Sequence, residues 1–402
     1  MSLNSTPSGE RIHIGLFGKR NAGKSSVINA LTNQNLAIVS EQKGTTTDPV
    51  YKAMELLPLG PVMLIDTPGL DDEGSLGTLR VEKAYQVLNK TDIALIIVDA
   101  LQGLTSEDEA VLAEITKRKL NYLLVFNKVD MVADFQPPQQ YANNSILVSA
   151  ATGSGINELR EKMGHLIPTR DMTLQLVGDL LEPLDLVVLV VPIDSAAPRG
   201  RLILPQQQTI RDVLEAKATA LVVQTTELAD VLQRFGTQVK MVITDSQAFG
   251  AVAKVTPKNI LLTSFSILFA RYKGDLAAAV AGAKALEGIQ TGDKILIAEG
   301  CTHHRQCDDI GTVKLPNWIR TYTKAEPIFE FSSGTGFPQD LSSYKLIIHC
   351  GACMLNEQEV KHRMAMAAEQ SIPISNYGIT IAYIHGILKR TLEPFPEIYK
   401  LL

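Results

Sequence analysis

Apolar residues along this chain gather in short β-branched runs, and helix-period patterns alternate with them. The first run, Ile12 to Phe17, reads as a buried strand, and the spacing of Val27, Ile28 and Leu31 after it predicts an amphipathic helix. Further strands are predicted at Val62 to Ile65, Ile93 to Val98, Tyr122 to Phe126 and Ile146 to Val148. A helix through Ile156, Leu159 and Met163 then runs toward Pro168, where proline stops it. Beyond that point strands are predicted at Leu186 to Val191, Ala220 to Val223, Met241 to Thr244 and Ile260 to Thr263. Helices over Gln206 to Ala216 and Leu228 to Phe235 separate them. The Ala-rich Leu276 to Leu286 predicts another helix, and Lys294 to Ala298 and Lys345 to Ile348 two more strands. Such alternation argues an α/β fold with mainly parallel sheets.

At 402 residues the chain exceeds one ordinary core. The reading is a P-loop nucleotide domain at 1–168 followed by two smaller α/β domains, an association domain at 175–268 and a metal-binding domain at 269–402. Composition is that of a soluble globular protein, with 45% hydrophobic and 20% charged residues. The net charge of −5 and the lack of a Lys/Arg run argue against a nucleic-acid partner. No apolar run is long enough to span a bilayer, so no membrane is expected. The polar stretch Met1 to Glu10 lacks a signal-peptide layout, which points to the cytoplasm, a reducing compartment where clustered cysteines favour metal or redox chemistry over disulfides.

The predicted strand ends carry the candidate chemistry. Gly18-Lys19-Arg20-Asn21-Ala22-Gly23-Lys24-Ser25 joins the first strand to the first helix, and Ser26 follows. Its glycines let backbone N–H groups curl around phosphate, and the helix N-terminus adds a positive dipole end. Lys24 is the candidate for the β and γ phosphates and the Ser25 hydroxyl for magnesium. Asp66-Thr67-Pro68-Gly69 ends the next run: Asp66 can hold magnesium through water, and the Gly69 N–H can reach a γ-phosphate. Asn127-Lys128-Val129-Asp130 ends a later strand. The Asp130 carboxylate can accept from the two guanine donors that adenine lacks. Ser149-Ala150-Ala151 can close over the base.

These motifs in this order resemble the translation-factor-like GTPases, the Era/TrmE-like group most of all. The resemblance implies that Thr46, in Gly44-Thr45-Thr46-Thr47-Asp48, contacts magnesium and the γ-phosphate, with Thr45 and Thr47 as its rivals. It also implies that Asn21 helps to hold a potassium ion against the phosphates, in place of an arginine finger. Leu70 stands where Ras-like enzymes orient water with Gln, so intrinsic hydrolysis is expected to be slow. Lys24, Thr46 and Gly69 are then the catalytic set, with GTP or GDP as ligand.

All four cysteines lie beyond residue 300. Cys301-Thr302-His303-His304 follows one predicted strand, and His349-Cys350-Gly351-Ala352-Cys353 ends another. If those strands are neighbours in a parallel sheet, Cys301, Cys350 and Cys353 converge at one edge. Structural zinc, an iron–sulfur cluster, a Cys350–Cys353 redox pair and inert buried thiols are the alternatives. One distant ligand beside one compact pair favours a cluster over zinc. The joint pattern, Cys301-Thr302-His303 with His349-Cys350-Gly351-Ala352-Cys353 behind such a GTPase domain, resembles the FeFe-hydrogenase maturation GTPases.

That resemblance implies a 4Fe-4S cluster on the three cysteines, with His303 or His349 as a possible fourth ligand. It further implies a homodimer or larger homo-oligomer that accepts a transient diiron carbonyl/cyanide precursor from radical-SAM maturases and delivers it to apo FeFe-hydrogenase. It gives Cys307 and His304 no role; Cys307 and the remaining histidines, His13, His165, His362 and His385, are expected to be ordinary packing or surface residues. The alternative is an RNA-modification or ribosome-assembly GTPase with a zinc-stabilised tail. A redox-sensing GTPase switched by Cys350 and Cys353 is a third reading.

Overall fold

The computed structural model describes residues 6–32, 48–69, 83–166, 175–193, 202–300, 309–334 and 336–402. The expectations at Thr45, Thr46, Thr47, Leu70, Cys301, His303, His304 and Cys307 lie outside them. The chain divides into two compact units, Met1–Thr169 and Arg170–Leu402.

Among the described residues the first unit is built on six strands: β1 (Ile12–Phe17), β2 (Val50–Leu56), β3 (Gly60–Asp66), β4 (Ile93–Asp99), β5 (Asn121–Asn127) and β6 (Ser145–Leu147). They lie in the order β2-β3-β1-β4-β5-β6. Only β2 runs antiparallel, against β3; the other neighbours are parallel. β4 is buried at every position, as its unbroken apolar run requires of a central parallel strand. Side chains of alternating strand positions feed two apolar layers. Leu16, Val27, Leu64 and Leu159 belong to one, and Phe17, Ile65, Ile96 and Phe126 to the other. Helices α1 (Lys24–Thr32), α2 (Ser106–Lys117) and α3 (Ile156–His165) supply the covering faces. α2 opens on a capping box in which Thr105 and Asp108 satisfy each other's backbone N–H groups. Sequence reading found β1, β3, β4, β5, β6 and α3 to within a few residues. It missed β2, whose alternating exposed and half-buried residues mark an edge strand with little apolar signal.

Among the described residues the second unit holds two four-stranded sheets. β7 (Leu186–Val190), β8 (Thr219–Val223), β9 (Val239–Thr244) and β10 (Leu261–Ser264) lie in the order β10-β9-β7-β8. β11 (Lys294–Glu299), β12 (Ile328–Ser333), β13 (Tyr344–His349) and β14 (Ile374–Asn376) lie in the order β12-β11-β13-β14. Every pairing in both sheets is parallel. Helices α4 (Leu204–Glu215), α5 (Leu228–Phe235), α6 (Phe249–Val255), α7 (Phe265–Lys273), α8 (Leu276–Ala283), α9 (Leu315–Thr323), α10 (Glu357–Glu369) and α11 (Tyr377–Ile384) connect or cover the strands.

One apolar cluster runs through both sheets, from Leu176 and Val188 by way of Leu268 and Ala279 to Ile297, Ile348 and Phe395. The regions expected as a second and a third domain therefore share a core. Close packing binds α8 to β14: a Cβ added at Gly282 would lie 2.1 Å from the Ile374 carbonyl oxygen. The expected adjacency of the two cysteine-bearing strands holds, with Ile297 opposite Ile348 and Ala298 opposite His349. Among the described residues no helix is long and apolar enough to cross a membrane.

Candidate nucleotide and cysteine sites

In the first unit the phosphate-loop and base-recognition segments meet at the C-terminal ends of β1, β3, β5 and β6. Gly18 has a φ of +141°, and a Cβ there would sit 2.2 Å from the Ile97 carbonyl oxygen, so the loop leaves β1 through a position that only glycine fills. Asn21 is exposed with φ 60°, in the left-handed region that Asn tolerates better than most residues. Ala22 is buried, while Gly23, Ser25 and Ser26 are partly buried around the mouth of the loop. Lys24 donates from Nζ to the carbonyl oxygens of Gly18 and Lys19, 2.8 Å from each, holding its ammonium within the loop.

Ser25 and Asp66 come together where the phosphate loop meets the end of β3. The Ser25 hydroxyl donates to Asp66 Oδ2 at 2.7 Å. Burial pushes the Asp66 carboxyl above its usual range, against the Ser25 hydrogen bond and the Lys24 charge. Two hard oxygens side by side at a strand end fit a small divalent cation. Thr67 anchors the start of the following segment through its hydroxyl to Leu16 O at 2.6 Å, and Gly69 ends the described stretch.

Asn127 is 2% exposed and ties the two halves of the site together. Its Nδ2 donates to Ala22 O at 3.0 Å, and its Oδ1 accepts from the Ala150 N–H at 3.0 Å. A Cβ at Gly23 would come within 2.2 Å of that Nδ2, which explains the glycine. Lys128 takes φ 67° and pairs with Asp99 at 2.6 Å. Asp99 carried no signal beyond its place at the end of β4. Asp130 is exposed in the short turn Val129–Met131, open to a ligand. Ser149 is fully buried, and its Oγ accepts from the Thr152 N–H at 3.2 Å, shaping the loop that Ala150 begins.

In the second unit β11 and β13 deliver the cysteine segments to one edge. Cys350 donates its N–H to Ala298 O at 2.9 Å, continuing the parallel ladder one residue past β13. Its Sγ accepts from the N–H groups of Gly300 at 3.1 Å and Ala352 at 3.4 Å. Backbone N–H groups aimed at a sulfur are what a ligand thiolate needs. Ala352 makes this possible by taking φ 56°. Gly300 is the residue that precedes Cys301 in the sequence. Cys350 and Cys353 are free thiols, each partly buried. Burial raises the Cys350 thiol against those two N–H bonds. Burial and the neighbouring Cys350 push Cys353 up to about 11. Both thiols are therefore protonated near neutral pH.

His349 does not fit its expected part as a fourth metal ligand. Its Nδ1 lies 2.9 Å from Cys350 O, an acceptor, so Nδ1 carries the hydrogen. Its Nε2 lies 3.0 Å from Arg363 Nη1, a donor, so Nε2 is the acceptor. Both nitrogens are engaged, and burial followed by the Arg363 charge brings the imidazole down to about 4, keeping it neutral. His349 orients the Cys350 backbone instead.

Arg363 is 1% exposed and anchors this arrangement. It pairs with Glu359 at 2.8 Å, donates to Gly334 O at 2.6 Å and stacks 5.0 Å from the Phe337 ring. Sequence reading missed the pair because Glu359 and Arg363, four apart on α10, look like an ordinary solvated helix pair. Removing the cation alone should be costly. Arg363→Met should lower unfolding stability by about 3–5 kcal/mol in urea denaturation of the full chain, because it strands a buried carboxylate. Adding Glu359→Leu should recover part of that loss.

Comparison with known proteins identifies the domains of the chain. The model of the 50S ribosome-binding GTPase family matches residues 13–128. The hydrogen maturase F dimerization domain matches residues 176–274, and the hydrogen maturase F tetramerization domain matches residues 277–394. The tRNA modification GTPase MnmE of Nitrosomonas europaea is 38% identical over 155 residues, covering 38% of this chain and 34% of that protein. The MnmE of Carboxydothermus hydrogenoformans is 36% identical over 163 residues, covering 39% of this chain and 35% of that protein. The chain thus spans about a third of the length of these relatives. A solved structure of an Era variant from Aquifex aeolicus bound to GDP and aluminium fluoride aligns at 19% identity and a TM-score of 0.35, covering 56% of this chain and 98% of that one. The two maturase models together take in more than half of the chain, and the chain belongs to the hydrogen maturase F family of hydrogenase-maturation GTPases.

Proposed function

We propose that this chain is a GTP-hydrolysing scaffold that holds a 4Fe-4S cluster on Cys301, Cys350 and Cys353. In that role it accepts a diiron carbonyl/cyanide precursor from radical-SAM maturases and delivers it to apo FeFe-hydrogenase. The observation that carries the reading is the pair of N–H groups, from Gly300 and Ala352, directed at Cys350 Sγ where β11 and β13 end together. Sulfur so supported, by an N–H group one residue from Cys301 along the chain, fits a soft metal centre. A cluster bound through three thiolates supplies one iron with an exchangeable position. His303 remains the candidate for that position, and the maturase domain models favour a homo-oligomer.

On the nucleotide side, Lys24 and the phosphate-loop N–H groups bind and orient the phosphates. Ser25 and Asp66, with Thr46, hold magnesium; Gly69 and Thr46 respond to the γ-phosphate; Asp130 reads guanine. Asn21 holds potassium against the phosphates, where a fixed monovalent charge stabilises the charge that develops on transfer. Nucleotide state then gates the exchange of partners by ordering these segments.

Three measurements test this reading. Anaerobic reconstitution should give a brown, iron-containing protein whose colour is lost in Cys350→Ser; stoichiometric zinc without iron overturns the cluster.

Asp130→Asn should weaken GTP by about 2–4 kcal/mol, roughly 30-fold to 1,000-fold, and admit xanthosine triphosphate, since two hydrogen bonds to a charged acceptor are lost. Unchanged selectivity would mean that guanine is read elsewhere.

GTP hydrolysis should be faster in potassium than in sodium, with Asn21→Ala abolishing the preference. Equal rates in the two salts remove the role given to Asn21.

A further inference from the structure

The hydrogen bond from the Gly300 N–H to Cys350 Sγ has two sides, held by different parts of the fold. The sulfur side is fixed by the strand ladder and by α7. Cys350 stays on Ala298 O through its N–H, and Lys273, the last residue of α7, donates from Nζ to Cys353 O at 3.2 Å and Leu355 O at 2.8 Å. The donor side is the peptide between Glu299 and Gly300, a rigid plane with the carbonyl on one edge and the N–H on the other. Its carbonyl accepts from the Gly334 N–H at 2.9 Å, one residue past β12. Tyr377, the first residue of α11, adds a further hold: its hydroxyl donates to Glu299 Oε1 at 3.1 Å. The start of α11 is itself firmly placed. Asn376 caps it by accepting from the Ile379 N–H at 2.9 Å and donates to Ser266 O at 2.9 Å, while the Gly378 N–H donates to Ser266 Oγ at 3.2 Å. Gly311 leaves room for the contact, since a Cβ there would stand 2.2 Å from Tyr377 Oη and 2.7 Å from Glu299 Oε1.

We propose that Tyr377 is a positioning residue of the cysteine site: through Glu299 it holds the Glu299–Gly300 peptide so that the Gly300 N–H stays on Cys350 Sγ, and that hydrogen bond raises the reduction potential of a bound iron–sulfur centre. The proposal rests on the iron–sulfur reading above. An N–H dipole aimed at a ligand sulfur stabilises the negative charge that reduction adds, which is how hydrogen bonds to sulfur tune such centres. The electron comes from a low-potential external donor, and one electron enters the centre with no bond made or broken. Tyr377 touches no ligand sulfur in this account and acts through the orientation of one peptide.

The test uses the full chain, reconstituted anaerobically with ferrous iron and sulfide and titrated with dithionite while paramagnetic resonance follows the reduced state. Relative to the parent chain, Tyr377→Phe should shift the midpoint potential to more negative values. It should also weaken the coupling of an exchangeable proton to the reduced centre, read by pulsed resonance before and after transfer to deuterium oxide. Iron should be lost to a chelator about tenfold faster, as when an outer partner of a metal ligand is removed. Gly311→Ala, which keeps both side chains and every charge but wedges a methyl group between them, should reproduce the shift, and it carries the test if Tyr377→Phe fails to fold by circular dichroism. Tyr344→Phe breaks a similar bond, to Glu330 at 2.6 Å, at the other end of β13 and should keep the parent potential. An unchanged potential or proton coupling in Tyr377→Phe overturns the proposal, even if iron is lost faster, because a purely structural role moves lability alone. A Tyr344→Phe potential shifted as far as that of Tyr377→Phe overturns it too. A parent chain that takes up no iron overturns the iron–sulfur reading first, and this proposal with it.

Discussion

Parallel strand pairing is the constraint on which the chemistry of this chain depends. Parallel strands put all their C-terminal ends on one edge, and loops that leave that edge meet without long excursions. The first unit uses the edge of β1, β3, β5 and β6 to gather Lys24, Ser25, Asp66, Asn127 and Ala150. The second unit uses the edge of β11 and β13 to bring Gly300 to Cys350. The two sites share no residues and present different chemistry, an ammonium, a hydroxyl and a carboxylate in one case and thiols in the other, yet both follow from the same arrangement of strands.

At each edge, buried polar groups convert rough proximity into fixed geometry. Asn127 is satisfied on both sides of its amide, once by the phosphate loop and once by the loop after β6. His349 is satisfied through both ring nitrogens, and Arg363 through Glu359, His349 and Gly334. Such groups are costly to bury and costlier to leave without partners. Each therefore locks its neighbours into one arrangement.

Much of this was readable from residues alone. The nucleotide motifs announce themselves because backbone geometry and phosphate chemistry demand particular residue types at fixed spacings, as at Gly18, Gly23, Lys24 and Asp130. The adjacency of the cysteine strands entered the sequence reading only as a condition, and the pairing of β11 with β13 meets it. The supporting residues stayed hidden for a physical reason: Arg363, Glu359, Lys273 and Asp99 are charged, and the pattern of apolar positions assigns charged residues to solvent. Only the packing of α10 and α7 against the cysteine loop reveals that three of them are buried. His349 was legible as part of a metal-type motif, but its tautomer depends on Arg363, fourteen residues away in sequence. The edge strand β2 was missed because half of its surface faces water.

The apolar cluster that joins the second and third sheets has a consequence for how such a chain can be divided. Phe265, Leu268 and Phe269 of α7 sit inside that shared interior, so a cut near residue 269 passes through packed side chains and not through a hinge. Residues 175–268 and 269–402 thus form one folding unit, and separating them would turn that apolar interior out to water.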